Sequence, residues 1–183
     1  MTRLEKMMPK SLTPEQLALY ELITSGPRSL GPQFFALTSE DGSLNGPFNA
    51  FLLVPKLGRA LQGLGASVRF ETTLTARVRE IAILMVAAHW DCAFERYAHE
   101  NIGRSAGLTD IEIETIRGGS TPLLEDPREQ ASAELTQLLM DGDISDEKWA
   151  SLAEPLGNAM LFELSTLVGY YTTLALQLRI FRV

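Results

Sequence analysis

Apolar side chains recur every three or four positions through most of this chain, and no stretch alternates apolar and polar residues long enough to suggest a strand. The pattern predicts an all-α fold. Leu17, Leu19, Leu22 and Ile23 follow Thr13-Pro14-Glu15-Gln16, where Thr13 is a natural N-cap, Pro14 suits the first helical position and Gln16 completes a capping box. That helix is expected to end near Gly26-Pro27. A Gly-, Pro- and Ser-containing connection then runs to Pro47, with Phe34, Phe35 and Leu37 expected to pin it to the core; connections of such length often cover a site. Asn49 to Gly63 predicts a helix kinked or divided at Pro55.

Farther along, Thr75 caps a helix whose run Ile81-Ala82-Ile83-Leu84-Met85-Val86-Ala87-Ala88 is apolar all round, the pattern of a central, fully buried element. A helix from Trp90 to Ser105 is expected to follow, terminated by Gly107. Thr109-Asp110-Ile111-Glu112 opens a short helix closed by Gly118-Gly119. Asp126-Pro127 begins one that runs through Met140, and a short helix from Ser145 precedes the long one after Pro155. From Ala159 to Leu178 the chain is apolar enough, and about long enough, to span a bilayer, with Glu163 as its charge. Leu164, Leu167, Val168, Tyr171, Leu174, Ala175 and Leu178 nevertheless form one helical stripe, with Met160, Glu163, Thr166, Tyr170, Thr173 and Gln177 on a second, mixed face. A helix with two such faces wants cover on both, which favours a soluble homo-oligomer. Nothing resembles a domain-sized linker, so residues 1–183 read as a single domain.

Composition narrows the partners. The 183 residues are 45% hydrophobic, enough for a sizeable core, and carry a net charge of −7. Only the start, with Arg3, Lys6 and Lys10, is mildly basic, which argues against nucleic acid and anionic membranes and leaves small molecules or proteins. One cysteine excludes an internal disulfide and a cysteine-rich zinc site and suits a reducing compartment, with the cytoplasm as the default. MTRLEKMMPKSLTPEQ lacks the apolar run of a secretory signal, so no export is implied.

The rare reactive side chains are concentrated. Both histidines (His89, His99), the cysteine and Trp90 lie within HWDCAFERYAH. In a helix, Cys92, Glu95 and His99 would project from one face at i, i+3 and i+7. A thiol, a carboxylate and an imidazole on one stripe can move protons; they can also be polar groups tolerated in a core. Glu80 admits a similarly plain role, pairing with Arg77 or favouring a helix start, and Cys92 can be inert packing. His89 reads as structural, Trp90 and Tyr97 as core or subunit contacts. Cys92, Glu95 and His99 lack a recognised metal-ligand spacing, so neither metal nor cofactor is expected. Phosphate-binding glycine loops and a serine nucleophile elbow are absent.

LTARVREIAILMVAAHWDCAFERYAHENIGRSAGLTDIEIETIRGG closely resembles the carboxymuconolactone decarboxylase and alkylhydroperoxidase-D-like family, over about residues 48–120. The stretch from GPFNAF to VGYY is also similar to its longer single-domain members. The resemblance implies an all-helical bundle assembled as a trimer or hexamer, with one of two activities: decarboxylation of a carboxylated muconolactone in aromatic degradation, or peroxide reduction by a Cys-x-x-Cys pair. Carried over by position, the peroxidase motif puts its glutamate at Glu80, its first cysteine at Cys92, its second at Glu95 and its histidine at His99. Glu95 is the departure. A carboxylate cannot form the disulfide, and it stands where the peroxide-attacking cysteine would be.

What remains suits acid–base chemistry on a small carboxylated lactone or ring acid. His99 is expected to act as acid and base, Glu80 to orient it, and Glu95 to shuttle a second proton or touch substrate. Two other classes stay open: a peroxiredoxin-like enzyme working through Cys92 alone or with an external thiol, and a non-catalytic oligomeric binding protein.

Overall fold

The computed structural model describes residues 2–26 and 34–183. Among them the chain forms eight α-helices: α1 (Pro14–Ser25), α2 (Phe48–Phe51), α3 (Pro55–Phe70), α4 (Ala76–His89), α5 (Ala93–Ser105), α6 (Asp110–Arg117), α7 (Pro127–Asp141) and α8 (Asp146–Phe181). The fold is all-α, and the backbone pairing outside helices is an isolated antiparallel bridge between Thr38 and Leu44. The chain separates into two compact units, one of residues 1–71 with 176–183 and one of residues 72–175.

The first unit is organised around α1 and α3. Thr13 and Gln16 form the reciprocal capping box, with the Gln16 side chain accepting from the Thr13 amide at 2.9 Å. Pro55 separates α2 from α3, because it starts a helix more readily than it continues one. α3 continues past the expected end at Gly63 to Phe70. Gly58, Gln62, Gly65 and Val68 form its buried face, so packing against its neighbours outweighs the glycines' poor helix propensity. In the connection before α2, Phe34, Phe35 and Leu37 are only half-buried, whereas Leu44 is fully enclosed and the Tyr20 hydroxyl donates to the Gly42 carbonyl at 2.9 Å. Leu44 is therefore the residue that pins this segment. Residues 27–33 of the expected connection lie outside the described residues.

The second unit is built on α4. Every residue from Ile81 to Ala87 is buried, as the all-round apolar pattern requires, and α5, α6 and α7 pack about it. Thr75 caps α4 by accepting from the Val78 amide at 3.1 Å. Arg77 ties the first turn of α4 to Glu112 on α6 and to Glu129 on α7, the latter at 2.8 Å. Residues of α8 add the stripe Leu164, Leu167, Val168, Tyr171, Leu174 and Ala175, all buried. α8 is two helices joined at Gly157, whose φ of 72° lies outside the helical region, two residues after Pro155. Its second face is already partly covered: Met160 and Tyr170 are buried, and Glu163 accepts from the Thr73 amide and hydroxyl at 2.9 and 2.8 Å.

Candidate functional site

α4 and α5 are not one continuous rod. The Asp91 amide bonds to Ala88 and the Cys92 amide to Ala87, while Asp91 takes a left-handed φ of 47°. This is the helix-ending Schellman arrangement with an aspartate where glycine is commoner; Asp tolerates that conformation better than most residues. The chain turns there and starts again at Ala93, with Cys92 as N-cap in extended backbone. The helix expected from Trp90 is thus shorter by three residues, and Cys92 stands at its mouth instead of on its face.

The restart lays α5 against α4 and brings Glu80 and His99 together. His99 Nδ1 is 2.7 Å from a Glu80 carboxylate oxygen, and His99 Nε2 is 3.4 Å from a carboxylate oxygen of Glu95, one turn earlier on α5. Glu80, His99 and Glu95 are 1%, 2% and 4% exposed. Gly103 shapes this packing: a Cβ there would come to 3.4 Å from side-chain carbons of both Leu84 and Leu108 and 3.8 Å from Glu80 Cβ. Arg77, the plain partner for Glu80 suggested by spacing, is engaged by Glu112 and Glu129.

A carboxylate oxygen faces each ring nitrogen, Glu80 at Nδ1 in a hydrogen bond and Glu95 at Nε2 at ion-pair distance. The two contacts are unequal. At 2.7 Å the Glu80 bond is short and fixes ring orientation, whereas 3.4 Å to Glu95 is at the long limit of a hydrogen bond.

Tyr171 on α8 completes the enclosure, its ring meeting the His99 ring edge-to-face at 5.3 Å and 89°, with Tyr170 edge-on to Tyr171 at 5.3 Å and 88°. Sequence spacing placed Tyr171 in an apolar stripe without revealing this partner. The phenol far along the chain carried no local signal.

Cys92 is buried, and burial pushes its thiol up to about 11; the Glu95 carboxylate adds to the rise, while the amides of Glu95 and Phe94 and the Arg96 guanidinium oppose it. The thiolate is the form disfavoured. His89 is exposed at the end of α4 and edge-on to Trp90 at 5.2 Å, apart from the His99 cluster. It lines a cavity of about 40 Å³ with Met85, Gln137 and Met140. Among the described residues no group of three His, Cys, Asp or Glu side chains is placed to hold a metal ion. In the His99 cluster the carboxylates face opposite ring nitrogens and do not converge on a shared point.

Residues 55–138 match the model of the carboxymuconolactone decarboxylase family. No curated protein matches the chain. The matched segment begins and ends later than the sequence resemblance at 48–120 and runs from α3 into α7, including Glu80, Cys92, Glu95 and His99.

Proposed function

Since residues 55–138 match the model of the carboxymuconolactone decarboxylase family, we propose that the protein is a lyase of the decarboxylase type, acting on a small carboxylated lactone or ring acid by proton transfer. The observation that carries this reading is the unequal grip on His99. Glu80 holds Nδ1 at 2.7 Å and sets the ring's orientation, while the looser 3.4 Å contact leaves Nε2 able to exchange Glu95 for a substrate. In decarboxylation the bond to the departing carbon dioxide breaks, its electron pair passes into the conjugated system, and a carbon takes up a proton. His99 supplies that proton from Nε2, and Glu95 reloads it or contacts the substrate. The apolar walls of α4 and α8 keep the local dielectric low, which strengthens each of these contacts.

The thiol reading has less support. With a pKa of about 11, Cys92 is thiolate at neutral pH in roughly one molecule in ten thousand, and Glu95 provides no second sulfur. The reading includes assembly as a homo-oligomer, trimer or hexamer, in the cytoplasm.

Turnover of carboxylated muconolactones by the wild type and by Glu80→Gln, His99→Ala and Cys92→Ala variants tests the assignment. His99→Ala should lower kcat by about 10²–10⁴, the usual contribution of general acid–base catalysis, with a smaller loss for Glu80→Gln and none for Cys92→Ala. Unchanged kcat in both of the first two variants would overturn the proton-transfer reading. Peroxide consumption that vanishes only in Cys92→Ala would install thiol chemistry in its place.

A further inference from the structure

Within the unit of residues 72–175, three helix ends meet at a place the proposed chemistry does not use. α4 ends at His89, α6 at Arg117 and α7 at Asp141, and residues of their last turns line the cavity of about 40 Å³. Met85 and His89 stand one turn apart on α4, and Gln137 and Met140 one turn apart on α7, so each helix offers the cavity two side chains from one face. The volume has room for a few water molecules or one ion and is too small for an organic ligand.

The walls select among such occupants. Carboxy-terminal turns carry the negative ends of their helix dipoles, so the field of α4, α6 and α7 favours a cation. Among the described residues no Asp, Glu, Lys or Arg lines the cavity. Hard cations need several oxygen ligands, carboxylates foremost, and those are missing. What the walls offer is two thioethers, an imidazole and an amide carbonyl, a soft and uncharged donor set. A monovalent soft ion is satisfied by such donors, whereas a divalent ion would keep its full charge with nothing anionic to offset it.

The donors are also free to bind. Among the described residues the His89 imidazole makes no hydrogen bond or ion pair, only its edge-on contact with Trp90 at 5.2 Å. The Gln137 amide nitrogen donates to both carboxylate oxygens of Asp141, at 3.0 and 3.1 Å, which polarises the amide and enriches its unengaged carbonyl oxygen. Thioethers on unbranched, rotatable stems reach an ion without any backbone movement. His89 is exposed, Met140 half-buried and Met85 buried, so the donors form a path inward from solvent.

We propose that this cavity is a Cu(I) site, with Met85, Met140 and His89 as ligands and the Gln137 carbonyl as a weaker fourth contact. Its test reads metal binding and not turnover, so it stands or falls apart from the decarboxylase reading. The full chain carrying Cys92→Ala, which removes the competing thiol, is titrated against Cu(I) held by bicinchoninate under argon. Saturable 1:1 transfer to the protein is expected, and Ag(I), the redox-inert stand-in, should raise the thermal unfolding midpoint. Met85→Leu and Met140→Leu exchange a thioether for hydrocarbon of similar volume. Each of them, and His89→Ala, should weaken Cu(I) by at least the roughly tenfold that even outer partners of a metal contribute. Circular dichroism of the metal-free variants checks that they fold, and Met140→Leu, at a half-buried position, carries the test if Met85→Leu does not. Met8→Leu, far along the chain from the cavity residues, should change nothing. No transfer from bicinchoninate, transfer by the wild type that vanishes in Cys92→Ala, or affinity kept by the double variant of Met85→Leu and Met140→Leu would each overturn the proposal. So would Zn(II) binding as tightly as Cu(I) through His89, because that would deny the thioethers their role.

Discussion

At Cys92 a single side chain separates two chemistries, and its burial can be read out directly. The thiol's ordinary value of 9.0 is raised to about 11 in the fold, mainly because burial penalises the charged form. Folding therefore favours the protonated thiol. Below pH 9 the thiol is protonated in both folded and unfolded chains and full stability is present; as pH climbs to about 11 the unfolded chain loses the proton first and stability falls. The loss at the end of that window is about 2–3 kcal/mol, from the standard conversion of a pKa difference to free energy. Urea denaturation at pH 8 and pH 10.5 should show a steeper decline for the wild type than for Cys92→Ala, in which the thiol is gone. The comparison with the variant isolates the thiol from tyrosines and lysines that titrate in the same range. Equal declines would mean that Cys92 is not desolvated, and rapid alkylation at pH 7 would say the same.

Between elements the tightest constraint is Gly58 on α3. A Cβ built there would stand 2.2 Å from the Phe51 carbonyl oxygen and 2.8 Å from Leu19 Cδ2, so backbone of α2 and a core side chain of α1 would both be forced away. Gly58→Ala should destabilise the protein by about 1–3 kcal/mol despite alanine's better helix propensity, the cost of overpacking a closed interface. Gly63→Ala on the same helix meets nothing within 4 Å and should be neutral or stabilising. Thermal unfolding of the two variants side by side distinguishes packing from propensity. If both move the same way, the close approach of α2 and α3 is not what Gly58 serves. Local signals of this kind explain which parts of the fold were legible in the sequence. Caps at Thr13, Thr75, Thr109 and Asp126 act through bonds within three residues, and the structure has helices starting at each. The break before α5 was hidden because helical spacing runs through it and Asp91, not a glycine, takes the left-handed turn. Glu80, Glu95 and His99 were legible as a group of chemically scarce side chains carried by a family resemblance. Tyr171 was not, since its role comes from a contact with α5 and its own surroundings in α8 spell only an apolar stripe.

The whole molecule leaves a long apolar helix to be accounted for. By length and composition α8 qualifies as a membrane span, yet its stripe from Leu164 to Leu178 is buried inside the protein, as in the core helix of a globular domain. The predicted second face is partly satisfied by the chain itself, through Met160, Tyr170 and the Thr73 contacts of Glu163. Besides exposed Trp149, Leu176 and Ile180, α8 leaves uncovered a different line: Phe162, 71% exposed, followed at helical spacing by exposed Ser165 and Gly169. A large aromatic ring in water beside two small residues is a poor surface and a good contact, because the small residues let another backbone approach while the ring is buried. The proposed homo-oligomer therefore places this line at a contact between copies. Sedimentation equilibrium at micromolar concentration should give three or six times the 20.2 kDa chain mass. Phe162→Asp should shift that mass toward one chain, since it puts a charge into the contact while touching none of the buried stripe. Helical circular dichroism unchanged in the variant would show that the fold survives the separation. A wild-type mass of 20.2 kDa would remove assembly from the account and leave Phe162 as an isolated surface aromatic. If the separated Phe162→Asp chains keep full turnover, the Glu80–His99–Glu95 cluster functions within one copy, and assembly serves stability instead of chemistry.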